Sequence, residues 1–99
     1  MPTFRLVLTP EADSNLTELE QDQSAKGALK AVRKCLALME TNLRHPSLCT
    51  HEYKSLRGPK GEKVFESYAQ NQTPGAYRVF WYYGEGKGSI TVAAIVPHP

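Results

Sequence analysis

The chain has 99 residues, 40% of them hydrophobic and 22% charged, with 12 Lys and Arg against 10 Asp and Glu and a formal net charge of +2. That length allows one domain over residues 1–99, burying ~60–65% of its unfolded surface; it excludes a second domain and a large internal substrate cavity, so any active site is expected to be an open groove. The charge excludes a nucleic-acid binder recognisable from composition alone. No stretch approaches the roughly 20 apolar residues of a membrane span and the N-terminal residues show no leader pattern, so a cytoplasmic protein without a membrane partner is expected.

In chain order, Phe4, Leu6 and Leu8 alternate with Arg5 and Val7, which predicts a strand with one apolar face. Thr9-Pro10-Glu11 reads as a helix start, with a capping hydroxyl, a proline suited to the first turn and an acid at the positive helix end. Ala12, Leu16 and Leu19 follow on one side of a short helix. Ser24 is the expected cap of a longer second helix, where Leu29, Val32, Leu36, Met39 and Leu43 recur at three and four until His45-Pro46 stops it.

From Thr50 the period changes to two. A weak strand from His51 to Leu56, a turn at Arg57 to Gly61, a strand from Lys63 to Ala69 and a loop at Asn71 to Gly75 come first. The strand Ala76 to Tyr83, a turn at Gly84 to Gly88 and the strand Ile90 to Val96 complete a meander. Segregated elements of this kind predict an α+β fold, with a helical hairpin on one face of an antiparallel sheet and the other face partly open. Cys35 falls in a helical pattern and Cys49 in a loop, so both are expected as free thiols; no Cys-x-x-Cys or His-x-x-x-His spacing predicts a metal site, and no cofactor is expected.

Arg78 is the residue that asks for an explanation. It places a permanently charged, multi-donor guanidinium in a strand of aromatic and β-branched residues, where it either pairs with a carboxylate or binds an anion. If the loop at 71–75 closes a regular hairpin with Gln70 opposite Ala76, then Tyr68 faces Arg78 and Glu66 faces Phe80. If Tyr83 lies opposite Ser89 in the next hairpin, Arg78 faces Ala94, and His98 joins the same side ~13 Å further along its strand. Glu66, Tyr68, Arg78 and His98 then share one face, with the guanidinium turned to open solvent, while Trp81 belongs with Tyr77, Val79 and Tyr83 on the core side.

That set suits RNA cleavage without a metal. One group must take the 2′-hydroxyl proton, one must protonate the leaving 5′-oxygen, and a cation must stabilise the phosphorane-like transition state. Arg78 fits the last role and His98 or Glu66 the proton transfers. Tyr68, Tyr53 or Trp81 could stack on or bond to unpaired bases. Acidic residues crowd the first part of the chain, whereas Lys54, Arg57, Lys60 and Lys63 lie in the second half and could track an RNA backbone; His51 is a further candidate for RNA contact.

On these residues the chain resembles the RelE/ParE superfamily of type II toxins over nearly its whole length: a strand, a helical hairpin, Leu56-Arg57-Gly58, the strand Gly75-Ala76-Tyr77-Arg78-Val79, and a last strand ending in His98. The resemblance implies an mRNA interferase working on the ribosome, in which Arg78 contacts the scissile phosphate and His98 matches the C-terminal catalytic histidine of YoeB- and HigB-like members. It also implies a cognate antitoxin whose disordered segment folds over the toxin, in a hetero-oligomer; a homodimer is the other assembly considered. A ParE-like inhibitor of DNA gyrase, or an inactive homologue that keeps only antitoxin binding, is the alternative. The paired lysines that RelE carries before its arginine are replaced here by Lys63, Glu66 and Tyr68, and the C-terminal helix and tyrosine of RelE have no counterpart in the sequence.

Overall fold

A computed structural model of the chain describes residues 3–84 and 86–98; Glu85, within the turn expected at Gly84 to Gly88, lies outside them. The alternation at the start produces strand β1 (Arg5–Leu8), with Arg5 and Val7 exposed and Leu6 and Leu8 half-buried. Thr9 caps helix α1 (Pro10–Gln21): its Oγ1 accepts from the Ala12 N–H at 3.1 Å, and Glu11 and Asp13 occupy the first turn.

Helix α2 runs over Lys26–Thr41, and both its ends differ from expectation. Asp22, not Ser24, supplies the side-chain cap, and it caps the turn before α2, whose own N-cap Ala25 makes no side-chain bond. The Asp22 carboxylate accepts from the Ser24 hydroxyl at 2.6 Å and the Ser24 N–H at 2.9 Å, closing a 3₁₀ turn over Gln23–Ala25 that delays α2 to Lys26. The same two bonds, the hydroxyl first, hold the Asp22 carboxyl below the usual carboxylate range. At the other end the Asn42 N–H donates to Leu38 O at 2.6 Å and the helix stops there, so Leu43 packs on the core from beyond the helix.

Strands β2 (His51–Arg57), β3 (Lys63–Tyr68), β4 (Tyr77–Tyr83) and β5 (Ser89–Pro97) join β1 in a five-stranded sheet of order β1-β5-β4-β3-β2. β2 to β5 form the antiparallel meander expected, and β1 adds to β5 in parallel. Ala12 and Leu19 of α1 and Val32, Cys35 and Met39 of α2 pack on Val79, Trp81, Ile90, Val92 and Ile95 of one sheet face, which forms the core. Burial there pushes the Cys35 thiol up to about 12. The opposite face holds a smaller cluster, Val64, Phe80 and Ala94 with Tyr53, Tyr82 and Val96 against it, to which no helical residue contributes.

Register decides what this second face displays. β3 and β4 pair as expected, Glu66 with Phe80 and Tyr68 with Arg78. β4 and β5 do not. Tyr83 lies opposite Ile90 rather than Ser89, and one extra residue, Ala93, bulges between the pairs Trp81–Val92 and Phe80–Ala94, so that Arg78 meets Val96 rather than Ala94. The two one-residue shifts cancel in parity. Ile90 and Val92 thereby turn to the helices, while Ala94 and Val96 stay on the face of Phe80 and Arg78.

The bulge is held by α1 and its cap. Once β1 ends at Leu8, the Thr9 N–H donates to Val92 O at 3.0 Å, the Thr9 hydroxyl donates to Ala93 O at 3.0 Å, and Asn15 Oδ1 accepts from the Ile95 N–H at 3.0 Å. Backbone groups that a neighbouring strand no longer reaches are satisfied in this way, which removes the cost of leaving them unbonded.

Candidate active site

Glu66 lies at the centre of the second face, 1% exposed. Burying a carboxylate is costly unless its oxygens are paired. Here Oε1 lies 2.8 Å from His51 Nε2, and Oε2 lies 3.0 Å from His98 Nδ1 and 3.5 Å from Arg78 Nε. The sheet explains the convergence: His51 opens β2 directly opposite Glu66, and Arg78 lies opposite Val96, two residues before His98. His98 extends the ladder past β5 by donating its N–H to Ala76 O at 2.7 Å. The shift of two residues in β5 removes the ~13 Å separation expected from the regular hairpin; His98 is one side-chain step, ~7 Å of strand, beyond the partner of Arg78.

Arg78 differs from the expected solvent-facing guanidinium, being only 6% exposed. It is buried on the face away from the helices. Nη1 donates to Gln70 O and, at 3.3 Å, to Tyr77 O, while the guanidinium carbon lies 3.6 Å from the centroid of the Tyr68 ring. Gln70, expected only as the last hairpin pair, also accepts the Tyr77 N–H on its side-chain oxygen at 3.2 Å. Among the described residues the one fully buried side-chain donor without a hydrogen bond is Arg78 Nε; Nη2 makes none either, so it retains solvent contact. The edge carrying Nη2 is the part of the guanidinium left for a ligand.

The two imidazoles form the accessible rim, with side chains 47% exposed at His51 and 50% at His98. His51 stands edge-on to Tyr68 at 5.8 Å between ring centroids, so Tyr68 touches both His51 and Arg78. The structure thus brings Glu66, Tyr68, Arg78 and His98 together and adds His51, which sequence reasoning had placed with the RNA contacts. Its position opposite Glu66 cannot be counted from the turn, because β2 shifts register between Glu52 and Arg57.

The remaining candidates stand apart from Glu66. Tyr53 packs edge-on against Phe80 at 4.9 Å. Trp81 is buried on the helix side. Lys54, Arg57 and Lys63 are exposed along the β2–β3 hairpin, with Arg57 paired to Lys63 at its far end, and exposed Lys60 lies in the turn, its N–H donating to Glu62 Oε1 at 2.7 Å. Lys63 is three residues from Glu66, ~10 Å of strand, and alternates to the other face of the sheet, since Val64 shares the face of Phe80 and Glu66. Among the described residues no three His, Cys, Asp or Glu side chains are placed to share a metal ion, and no helix is long and apolar enough to cross a membrane.

No protein-family model matches the sequence, and no curated protein matches it significantly. Solved structures do match the fold. A YoeB/ParE toxin from Agrobacterium tumefaciens superposes with a TM-score of 0.69 at 8% identity, over 97% of this chain and 100% of that one. The archaeal RelE–RelB complex from Pyrococcus horikoshii gives 0.60 at 14% identity, over 96% and 94%. The chain therefore shares the α+β fold of these YoeB/ParE and RelE structures, the fold class that the sequence predicts.

Proposed function

We propose that this chain is the toxin of a type II toxin–antitoxin pair and that it cleaves mRNA, on the ribosome, by side-chain acid–base chemistry. The observation that carries the reading is the convergence of Arg78, His98 and Glu66 on one accessible face beside a basic hairpin. Fold likeness to YoeB/ParE and RelE toxins supports the toxin role, and the RelE–RelB complex supports an antitoxin as partner.

Glu66 accepts at His98 Nδ1, which leaves His98 Nε2 as the exposed proton acceptor. It takes the 2′-hydroxyl proton as that oxygen attacks phosphorus. The P–O5′ bond breaks, the departing 5′-oxygen is protonated from solvent, and a 2′,3′-cyclic phosphate remains. Arg78 Nη2 faces the non-bridging oxygens, where negative charge builds up in the transition state. Lys54, Arg57 and Lys60 of the hairpin guide the backbone, an attraction that weakens with salt.

His98→Gln is the variant to test, because the side chain is half exposed at the end of a strand and its loss leaves the core intact. On purified bacterial ribosomes carrying bound message, wild type is expected to release 5′-hydroxyl fragments, and His98→Gln to cut on the order of a hundredfold to ten-thousandfold more slowly. Equal rates would overturn the mechanism. Absence of RNA products, with cleaved DNA accumulating in a gyrase assay, would favour the gyrase-inhibitor alternative.

A further inference from the structure

We infer that His51 is a positioning residue that fixes the proton arrangement of His98 through Glu66, an inference that rests on the nuclease reading above. Both ring nitrogens of His51 face acceptors. Nδ1 lies 2.8 Å from Cys49 O, and a carbonyl can only accept, so Nδ1 carries a proton. Nε2 lies 2.8 Å from Glu66 Oε1, and one proton occupies that line, on one atom or the other.

The consequence falls on the second carboxylate oxygen. Because the proton of the pair is held on the Oε1 side, Oε2 is an acceptor in either case, and the donor of the 3.0 Å contact is His98 Nδ1. Neutral His98 then has its lone pair on Nε2, the nitrogen left for substrate. This is the logic by which a buried carboxylate orients a catalytic imidazole, with a second imidazole added behind the carboxylate.

The local backbone is shaped for this contact. Cys49 ends the short 3₁₀ turn Pro46–Leu48 in a left-handed conformation, φ +47°, unusual for a residue with a side chain. Its carbonyl is the acceptor for the imidazole two residues later. Strain in a backbone segment that serves a polar side chain is typical of functional sites. With both nitrogens engaged, His51 has none free for RNA, which distinguishes it from the phosphate and base contacts along the hairpin.

Two variants and two readouts test the assignment. His51→Leu removes the donor to Oε1, whereas His51→Gln can still offer an amide N–H. In ribosome-bound message cleavage, His51→Leu is expected to lower kcat on the order of a hundredfold with KM changed less than about twofold, and His51→Gln to recover part of the loss. Long-range ¹H–¹⁵N spectra at the pH of the cleavage assay supply the second readout. Wild-type His98 should carry its proton on Nδ1, and His51→Leu should move His98 toward a mixture of both tautomers. An unchanged His98 tautomer in His51→Leu, or a raised KM at constant kcat, would overturn the positioning role. A wild type that cleaves no RNA would instead remove the nuclease reading, and the spectra would still decide whether His51 sets the tautomer of His98.

Discussion

Trp81 and Arg78 stand three residues apart on β4, 1% and 6% exposed, and they are buried by opposite means. Trp81 lies under the helices, stacked on Phe65 at 4.9 Å, and donates its indole N–H to Ser67 Oγ at 2.9 Å, which in turn shares a 2.8 Å bond with Thr50 Oγ1. Arg78 has no helix over it. Its enclosure consists of two backbone carbonyls, an aromatic ring and a carboxylate. Burial on the helix side is driven by apolar surface leaving water, whereas burial on the other side depends on polar groups satisfying one another. The first face sets stability, and the second fixes geometry.

If so, Trp81→Ala should give the largest loss of stability, about 3–5 kcal/mol, seen as a lower urea midpoint. Arg78→Met alone should cost about 1–3 kcal/mol, since two half-exposed imidazoles still reach Glu66. The sharper test is the double variant Glu66→Leu with Arg78→Met, which should unfold within about 1 kcal/mol of wild type or later, while the proposed cleavage is abolished. A double variant as unstable as Trp81→Ala would break the contrast between the faces.

A separate effect concerns the thiols. Cys35 is buried on the inner side of α2 and Cys49 is exposed, so a maleimide should label Cys49 in the native chain and Cys35 only after unfolding. Because burial holds the Cys35 thiol neutral up to about 12, against an ordinary value of 9.0, folded and unfolded chains are alike below about pH 9. Above it the unfolded thiolate forms first, the unfolded state binds fewer protons, and stability falls between about pH 9 and 12. Denaturant midpoints of wild type and Cys35→Ala across that range measure the effect; parallel curves would count against it.

Much of this organisation is legible in the residues. The Thr9-Pro10-Glu11 helix start, the Val32 and Met39 side of the second helix, and the pairing of Tyr68 with Arg78 follow from local capping, period and a short loop. The β4–β5 register does not, because the bulge at Ala93 is held by Thr9 and Asn15, some 80 residues earlier in the chain. The same is true of the enclosed guanidinium. Its acceptors are main-chain oxygens of Gln70 and Tyr77, which leave no mark in residue identity, and exposure cannot be read from a period-two pattern alone. Nor does the role of His51 follow, because β2 shifts register between Glu52 and Arg57 and no simple hairpin count from the turn leads to its partner.

The extra residue at Ala93 makes the end of β5, from Ala94 onward, a reversible surface. Straightening the bulge with every residue kept would roll Ala94 to His98 by half a pleat, presenting Ile95 to water and turning the terminal imidazole toward the helices, whereas losing Ala93 would leave their partners and faces unchanged. The count of residues between the last glycine turn and His98 and the presence of the bulge therefore fix the faces jointly, separately from the identity of the apolar residues between them.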